Sequence, residues 1–308
     1  MTTLVRFALL LGAIALPGAC KSSAEKARIE ATALKAREQR LQARLAKVEE
    51  SQSLDEPVAM WIMPEGLAEI SGIALTADGR LLAHDDEIAR VFEIDPRRGQ
   101  VKKSFMLGNG LHGDFEGITV VGPDLYMILS NGRLYRFREG DNHTRVPYTT
   151  FDTHLGKECE FEGVAYEKDS ARLVMPCKNV HVKHLDDEVV IYRWKIGSRD
   201  STGISMMTVP VSEVAGTNKW KKFRPSDITI DPATGNYVII SSLEKGYVVM
   251  TPSGDVLRSG DLPGKHPQAE GVAITSDDIL IISDEATSKP AVITLYKWNR
   301  PEPGAATQ

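Results

Sequence analysis

From residue 58 onward the chain alternates short runs of apolar, β-prone residues with polar turns, and within that alternation one phrase recurs. A small or acidic residue precedes a glycine and an apolar pair in Ser71-Gly72-Ile73-Ala74, Glu116-Gly117-Ile118-Thr119, Glu162-Gly163-Val164-Ala165 and Glu270-Gly271-Val272-Ala273. Ser226-Asp227-Ile228-Thr229 is a fifth copy with Asp in the glycine place. The second positions lie 45, 46, 64 and 44 residues apart, in the range where one period encodes one blade of a β-propeller. The first unit divides into ISGIALTADGR, LLAHDDE, RVFEIDPRRG and VKKSFML: four strands, with Asp78-Gly79 and Pro96 to Gly99 at the turns.

The last unit holds only three evident strands, GVAIT, ILIISDE and AVITLYKW. The missing fourth is predicted in PVAMWIM at 57–63, which pairs with the final blade and closes the ring, leaving no open sheet edge. The fold class is therefore all-β: a propeller of five four-stranded blades over 58–300, with a sixth blade the alternative if the longer third interval hides one.

Ahead of the propeller the pattern is different. Over 21–50, Ala27, Leu34, Leu41 and Val48 recur every seven residues, Ala24, Ala31 and Leu45 fall three before their partners, and strong helix formers fill the rest. A helical stalk about 40 Å long is predicted, either a monomeric charged spacer or a coiled-coil seam. Residues 51–57 read as linker and 301–308 as a disordered tail. Residues 1–20 combine Arg6, an apolar run of about ten residues and small residues ending at Cys20. That run is too short to span a membrane as a helix, and the segment reads as a lipoprotein-type signal peptide with lipidation at Cys20, although Pro17 departs from the usual motif. Ordinary cleavage near Ala19 or an uncleaved anchor is the alternative. The expected location is the bacterial envelope, lipid-anchored and facing the periplasm; Lys21 after Cys20, where an inner-membrane retention signal has Asp, favours the outer membrane.

Charge narrows the partners. The net charge is −5, the helical segment carries about +3, and the propeller about −9, which opposes nucleic-acid binding. The acids are also placed. In a propeller blade the start of the first strand and the end of the second meet at one rim, and these places hold Glu69, Asp114, Glu116, Glu160, Glu162, Gln268 and Glu270 on one side, His84-Asp85-Asp86-Glu87 and Ser283-Asp284-Glu285 on the other. Crowded carboxylates either share protons or bind a cation. An all-oxygen ligand set suits Ca²⁺ first and Mg²⁺ or Mn²⁺ second, with Glu116, Glu162, Glu270, Glu69 and Asp227 as candidate ligands; a solvated acidic rim is the plain alternative. Asp227 is ambiguous, because strand alternation points it away unless a bulge intervenes.

The ordered phrases AEISGIAL at 68–75, EFEGVAY at 160–166 and AEGVAIT at 269–275 resemble the SdiA-regulated, or YjiK-like, family of exported bacterial propellers over about residues 55–300. The resemblance implies a propeller at the bacterial envelope, with calcium linked to some members and no firmly established reaction. More distantly the chain is similar to metal-dependent lactonase and phytase propellers, which implies hydrolysis. Two functions follow: an envelope-anchored module whose calcium-bearing channel mouth binds a small ligand or an envelope protein, or a metal-dependent hydrolase (lactonase, esterase or phytase-like). For the second, His84 beside Asp85 is the candidate base, ahead of the His181 and His184 pair. No nucleophile elbow, Cys-x-x-Cys pair, P-loop or dinucleotide fingerprint is present. With Cys20 assigned to lipid, Cys159 and Cys177 form a candidate disulfide in an oxidising compartment; simple register puts Cys177 opposite Glu162, so bonding requires a bulge. Lys178 beside it is expected to pair with Glu160.

Overall fold

The computed structural model describes residues 22–51, 55–198 and 203–301. Among them 22 strands form five sheets. Blade 1 runs outward through Ile70–Leu75, Leu81–Asp85, Arg90–Asp95 and Gln100–Leu107. Blade 2 contains Phe115–Val121, Asp124–Leu129, Arg133–Arg138 and Tyr148–Asp152, and the short strand Arg145–Val146 crosses back to lie parallel to the outer edge of blade 1. Blade 3 has an inner strand broken into Cys159–Phe161 and Ala165–Glu167, then Arg172–Val180, Glu188–Lys195 and Ile204–Pro210. Blade 4 is Asp227–Ile230, Tyr237–Ser241, Gly246–Met250 and Val256–Asp261. Blade 5 is Ala269–Ile274, Ile279–Asp284, Val292–Lys297 and, outermost, the N-terminal strand Ala59–Ile62. The fold is thus a five-bladed β-propeller. The long third interval lengthens blade 3 and ends in the short helix Val211–Ala215, so it holds no sixth blade.

The ring closes as the strand deficit of the last unit predicts, with Ala59 opposite Leu295 and Ile62 opposite Val292. A second clasp comes from the chain end. Arg300 Nε lies 2.9 and 3.0 Å from the two carboxylate oxygens of buried Asp231, which also accepts from Trp298 Nε1 at 3.0 Å. Apolar side chains pack in clusters between successive blades; one joins Ile73, Leu81 and Ile94 of blade 1 to Ala273, Ile281, Ile293 and Leu295 of blade 5.

Closest to the axis, the phrase glycines stand where neighbouring inner strands touch. A Cβ on Gly117 would fall 2.6 Å from Gly163 Cα, one on Gly72 2.9 Å from Gly117 Cα, and one on Gly271 2.8 Å from Ser71 O. No side chain fits there, so backbone meets backbone, and Gly163 N donates to Glu116 O at 2.8 Å. Asp227 completes the ring in blade 4: its Oδ2 accepts from Val272 N at 2.8 Å, and its Oδ1 fills the space beside Gly163.

The helix Ser23–Ser51 is not a free stalk. Its first third is exposed, but Leu41 and Val48 are each 3% exposed within the cluster between blades 1 and 5, and Leu34 and Leu45 are half-buried. The second half of the heptad stripe, which a coiled coil would bury against another helix, is covered by the propeller instead. Polar contacts fix it: Glu38 pairs with Arg98 at 2.8 Å, Arg37 donates to Arg98 O at 2.9 Å, and Glu30 Oε1 accepts from Gln100 Nε2 at 2.9 Å. Cys20, the rest of the signal segment and tail residues 302–308 lie outside the described residues.

Docking makes the helix resistant to cleavage. Leu41→Ala removes a contact of the kind whose truncation costs about 2–5 kcal/mol, so limited trypsinolysis should cut at Arg40 and Arg44 markedly faster than in the parent while the propeller stays intact. Equal cleavage rates would show that this contact does not hold the helix.

Candidate functional site

The rim predicted from strand alternation is a small acidic mouth of about 150 Å³, lined by Glu69, Asp86, Glu116, Glu162, Glu270 and Glu285 together with Ser71, Gln268 and Lys178. Bulges aim the acids into it. Phe115 pairs with Leu129 and Gly117 with Ile128, which leaves Glu116 as the extra residue; Ala269 pairs with Asp284 and Gly271 with Ser283, which does the same for Glu270. In blade 3 the inner strand is interrupted at Glu162, whose carboxylate is buried. Backbone bonds stitch the rim from blade to blade: Phe115 N to Asp86 O at 2.8 Å, Phe161 N to Ser130 O at 2.8 Å, and Ala286 N to Ala68 O at 2.9 Å.

Two groups of acids result. Beside the axis, Glu116, Glu162 and Glu270 surround Lys178, whose Nζ is 2.5 Å from Glu162 Oε1. Lys178 therefore pairs with Glu162 and not with Glu160, which accepts from Asn179 instead at 2.7 Å. The reason lies in the disulfide Cys159–Cys177, with Cα atoms 5.6 Å apart. Glu160 opposes Asn179 and Phe161 opposes Cys177, so Lys178 is bulged out of the ladder. An internal ammonium thus occupies the position between the three phrase carboxylates where the sequence suggested a metal ion.

The second group is off-axis. Ligand oxygens of Glu69, Asp86 and Glu285 all lie within 4.8 Å of one another, at the seam between blades 1 and 5. Gln268 hydrogen-bonds Glu285. Asp86 Oδ1 is buried without a hydrogen-bond partner. Asp86 and Glu285 stand in the acidic runs at the second-strand ends, one residue past the strand, where alternation no longer says which side chain faces the channel.

Burial dominates the proton affinities. It raises the Glu116 carboxyl far above the usual range, with Glu162 and Asp114 adding repulsion. Glu270 is pushed up to about 7, burial outweighing the attraction of Lys178 and Lys245, and Glu162 is likewise raised against the pull of Lys178. Asp86 rises to about 6 through burial and then its neighbours Asp85 and Glu69; Glu285 rises through burial and a hydrogen bond with Glu69. Burial works against the charge of Lys178, but Glu162, Glu270 and Glu116 reverse that and hold it protonated.

The remaining sequence candidates have other tasks. His84 is fully buried; its Nε2 accepts from Gly72 N at 3.0 Å and its Nδ1 bonds Asp85 O at 3.1 Å, while burial lowers its pKa to about 4. It is a neutral brace behind Gly72, with no nitrogen left for base chemistry. Asp85 Oδ1 accepts from Glu87 N and Ile88 N at the end of its strand. Asp227 lies in the ring and not among the mouth-lining residues, its carboxyl raised well above the ordinary value by burial. His181 and His184 are exposed, His181 on a loop and His184 in the short 3-10 turn Lys183–Leu185 that follows it. One buried group had no sequence signal: His266, from the loop between blades 4 and 5, bonds Asp284 Oδ2 at 2.6 Å and Tyr296 OH at 3.0 Å. Asp284 Oδ1 also accepts from Gln268 N at 3.2 Å, so this chain supports the mouth from behind.

No family model matches the chain, and no curated protein matches it. Among solved structures it is similar to a streptogramin B lyase (13% identity, 79% of this chain and 73% of that one, TM-score 0.42) and to a luciferin-regenerating enzyme (10% identity, 80% and 98%, TM-score 0.48). It is also similar to the PQQ-bound aldose sugar dehydrogenase from Streptomyces coelicolor (11% identity, 77% and 98%, TM-score 0.43). These likenesses concern the propeller fold alone.

The mouth acids bind protons more tightly folded than unfolded. Their contribution to stability is fully present below about pH 4.5 and is lost as pH rises through the folded value, about 7 for Glu270. The melting temperature of EDTA-treated protein should therefore fall between pH 5 and pH 8, and Glu270→Gln should flatten the fall. Melting that is level across this range would contradict the assigned proton affinities.

Proposed function

We propose that the protein is a binding module whose acidic channel mouth holds a divalent cation, Ca²⁺ in preference to Mg²⁺ or Mn²⁺, and presents it to a small ligand or an envelope protein. Glu69, Asp86 and Glu285 are the ligands. The observation that carries this reading is their convergence: two oxygens bound to one Ca²⁺ at 2.3–2.6 Å stand no more than about 5 Å apart, and these three lie within 4.8 Å of one another. The buried, unpartnered Oδ1 of Asp86 fits the same role, since a metal satisfies an oxygen that no hydrogen bond serves. Oxygen ligands alone favour a hard ion, and a rim built from loop and strand ends suits the flexible coordination of Ca²⁺ more than the strict octahedron of Mg²⁺. Lys178 already pairs with Glu162, and burial holds Glu116 and Glu270 toward their protonated forms, which leaves the off-axis group to take the ion.

Binding is favoured over hydrolysis because both nitrogens of His84 are engaged and, among the described residues, no histidine lines the mouth. The resemblance to the SdiA-regulated propellers supports the same reading, and with it attachment to the bacterial envelope through lipidated Cys20, the propeller facing the periplasm.

Calcium added after EDTA should raise the melting temperature. At 100 times Kd the gain is about 2.7 kcal/mol, or about 5–10 °C for a domain of this size; Mg²⁺ should give less and Asp86→Asn should abolish the shift. An unchanged melting temperature would exclude the site, and cation-dependent turnover of a lactone, ester or phosphate that Asp86→Asn abolishes would replace the binding module with a hydrolase. For the anchor, Cys20→Ala should move the protein from the membrane to the soluble fraction; full membrane retention would rule out lipidation.

A further inference from the structure

The channel has a second end with the opposite chemistry. Below the glycine ring it opens into a cavity of about 710 Å³, within the range of about 300–1,000 Å³ typical of small-molecule sites. Its walls are the lower halves of the five inner strands. The residue two places after each phrase glycine, or after Asp227, is small: Ala74, Thr119, Ala165, Thr229 and Ala273. The first four line the cavity, and so do the larger Leu75, Val120, Tyr166 and Ile230 that follow them. Small residues at one level widen the channel just where the ring above has closed it. Threonine hydroxyls give the wall neutral polar groups, while the charged lining residues are Asp78, Arg97 and Asp277, the last two paired with each other at 2.5 Å.

Leu41 and Leu45 of the N-terminal helix also line this space. The helix is therefore part of the cavity wall and not merely attached to the outside. It is held beside the opening by its contacts with Arg98 and Gln100, all on the turn and outer strand of blade 1.

We propose that this cavity is a binding site, separate from the acidic mouth, for a neutral and mainly apolar small molecule, with the helix as its lid. An ionic ligand finds no unpaired partner deep in the wall, and an apolar one displaces water that the wall holds poorly. The site stands independently of the cation: the backbone ring at Gly72, Gly117 and Gly163 separates the two ends, and no residue lines both.

The test uses the full chain and the neutral fluorophore N-phenyl-1-naphthylamine, whose emission rises in apolar surroundings. Saturable binding at one site per chain is expected. Thr229→Phe, which fills the cavity, and Leu45→Glu, which puts a charge on its lid, should each weaken binding about tenfold or more, with circular dichroism and melting close to the parent. Leu45 is half-buried on the helix, so Leu45→Glu tests the site even if Thr229→Phe fails to fold. The addition of EDTA should leave dye affinity unchanged, because it acts at the other end. Absence of saturable binding would overturn the proposal, and so would equal binding by the folded variants and the parent, which would locate the dye elsewhere on the surface. Neither result bears on the calcium shift in melting temperature.

Discussion

Five inner strands approach so closely at one level that only glycine backbone, or the carboxylate of Asp227, fits between them. Both the acidic mouth and the lower cavity are arranged around that constriction. Because a Cβ on Gly117 would stand 2.6 Å from Gly163 Cα, the strands are fixed relative to one another by contact and not by the fit of flexible side chains. The bulges just above convert that fixed backbone into aimed carboxylates, and the small residues just below convert it into space. One phrase thus specifies three layers: an acid before the glycine, the closure itself, and a widening two residues later.

The electrostatic consequence falls on the acid layer. Six carboxyls around a mouth of about 150 Å³ cannot all carry charge, and the protein answers in two ways. Near the axis a lysine, bulged from its strand beside the disulfide, supplies a built-in cation to Glu162. At the seam of blades 1 and 5 no side chain does so, and Glu69, Asp86 and Glu285 share protons or, as proposed, a divalent ion. The uneven distribution of Glu and Ser in the phrase foreshadows this asymmetry: Glu stands in blades 2, 3 and 5, Ser in blades 1 and 4. Ser226, in the variant copy, is spent on the backbone, its Oγ donating to Ala269 O at 2.6 Å.

Much of this was legible in the sequence because it depends on local period. Blade number follows from glycine spacing, the closing strand from a missing fourth strand, and the bulge in blade 3 from the demands of joining Cys159 to Cys177. What was not legible depends on where a side chain goes once the ladder is broken. Alternation assigned Glu160 and Glu162 to one face, but the break at Gly163, with φ +84°, and the bulge at Lys178 separate them. Asp86 and Glu285 lie past strand ends, where the two-residue period no longer applies. The heptads of the helix state that a stripe will be buried without stating against what; Leu41 and Val48 answer with the propeller's own surface.

That intramolecular docking bears on the seam itself. The chain passes from Ser51 of the helix to Ala59, the first residue of the closing strand, so the helix and the closing strand belong to one short stretch of chain. The strand completes blade 5 against its third strand, while the helix buries Leu41 and Val48 between blades 5 and 1. At the opposite rim of the same seam, Ala286 N bonds Ala68 O and the three off-axis carboxylates meet. Closure of the ring is therefore maintained at both ends of one interface, by apolar burial below and by a polar stitch above. On the proposed function, a divalent cation shared by Glu69 and Asp86 of blade 1 and Glu285 of blade 5 would replace repulsion across that stitch with attraction, and ion binding and ring closure would then strengthen each other.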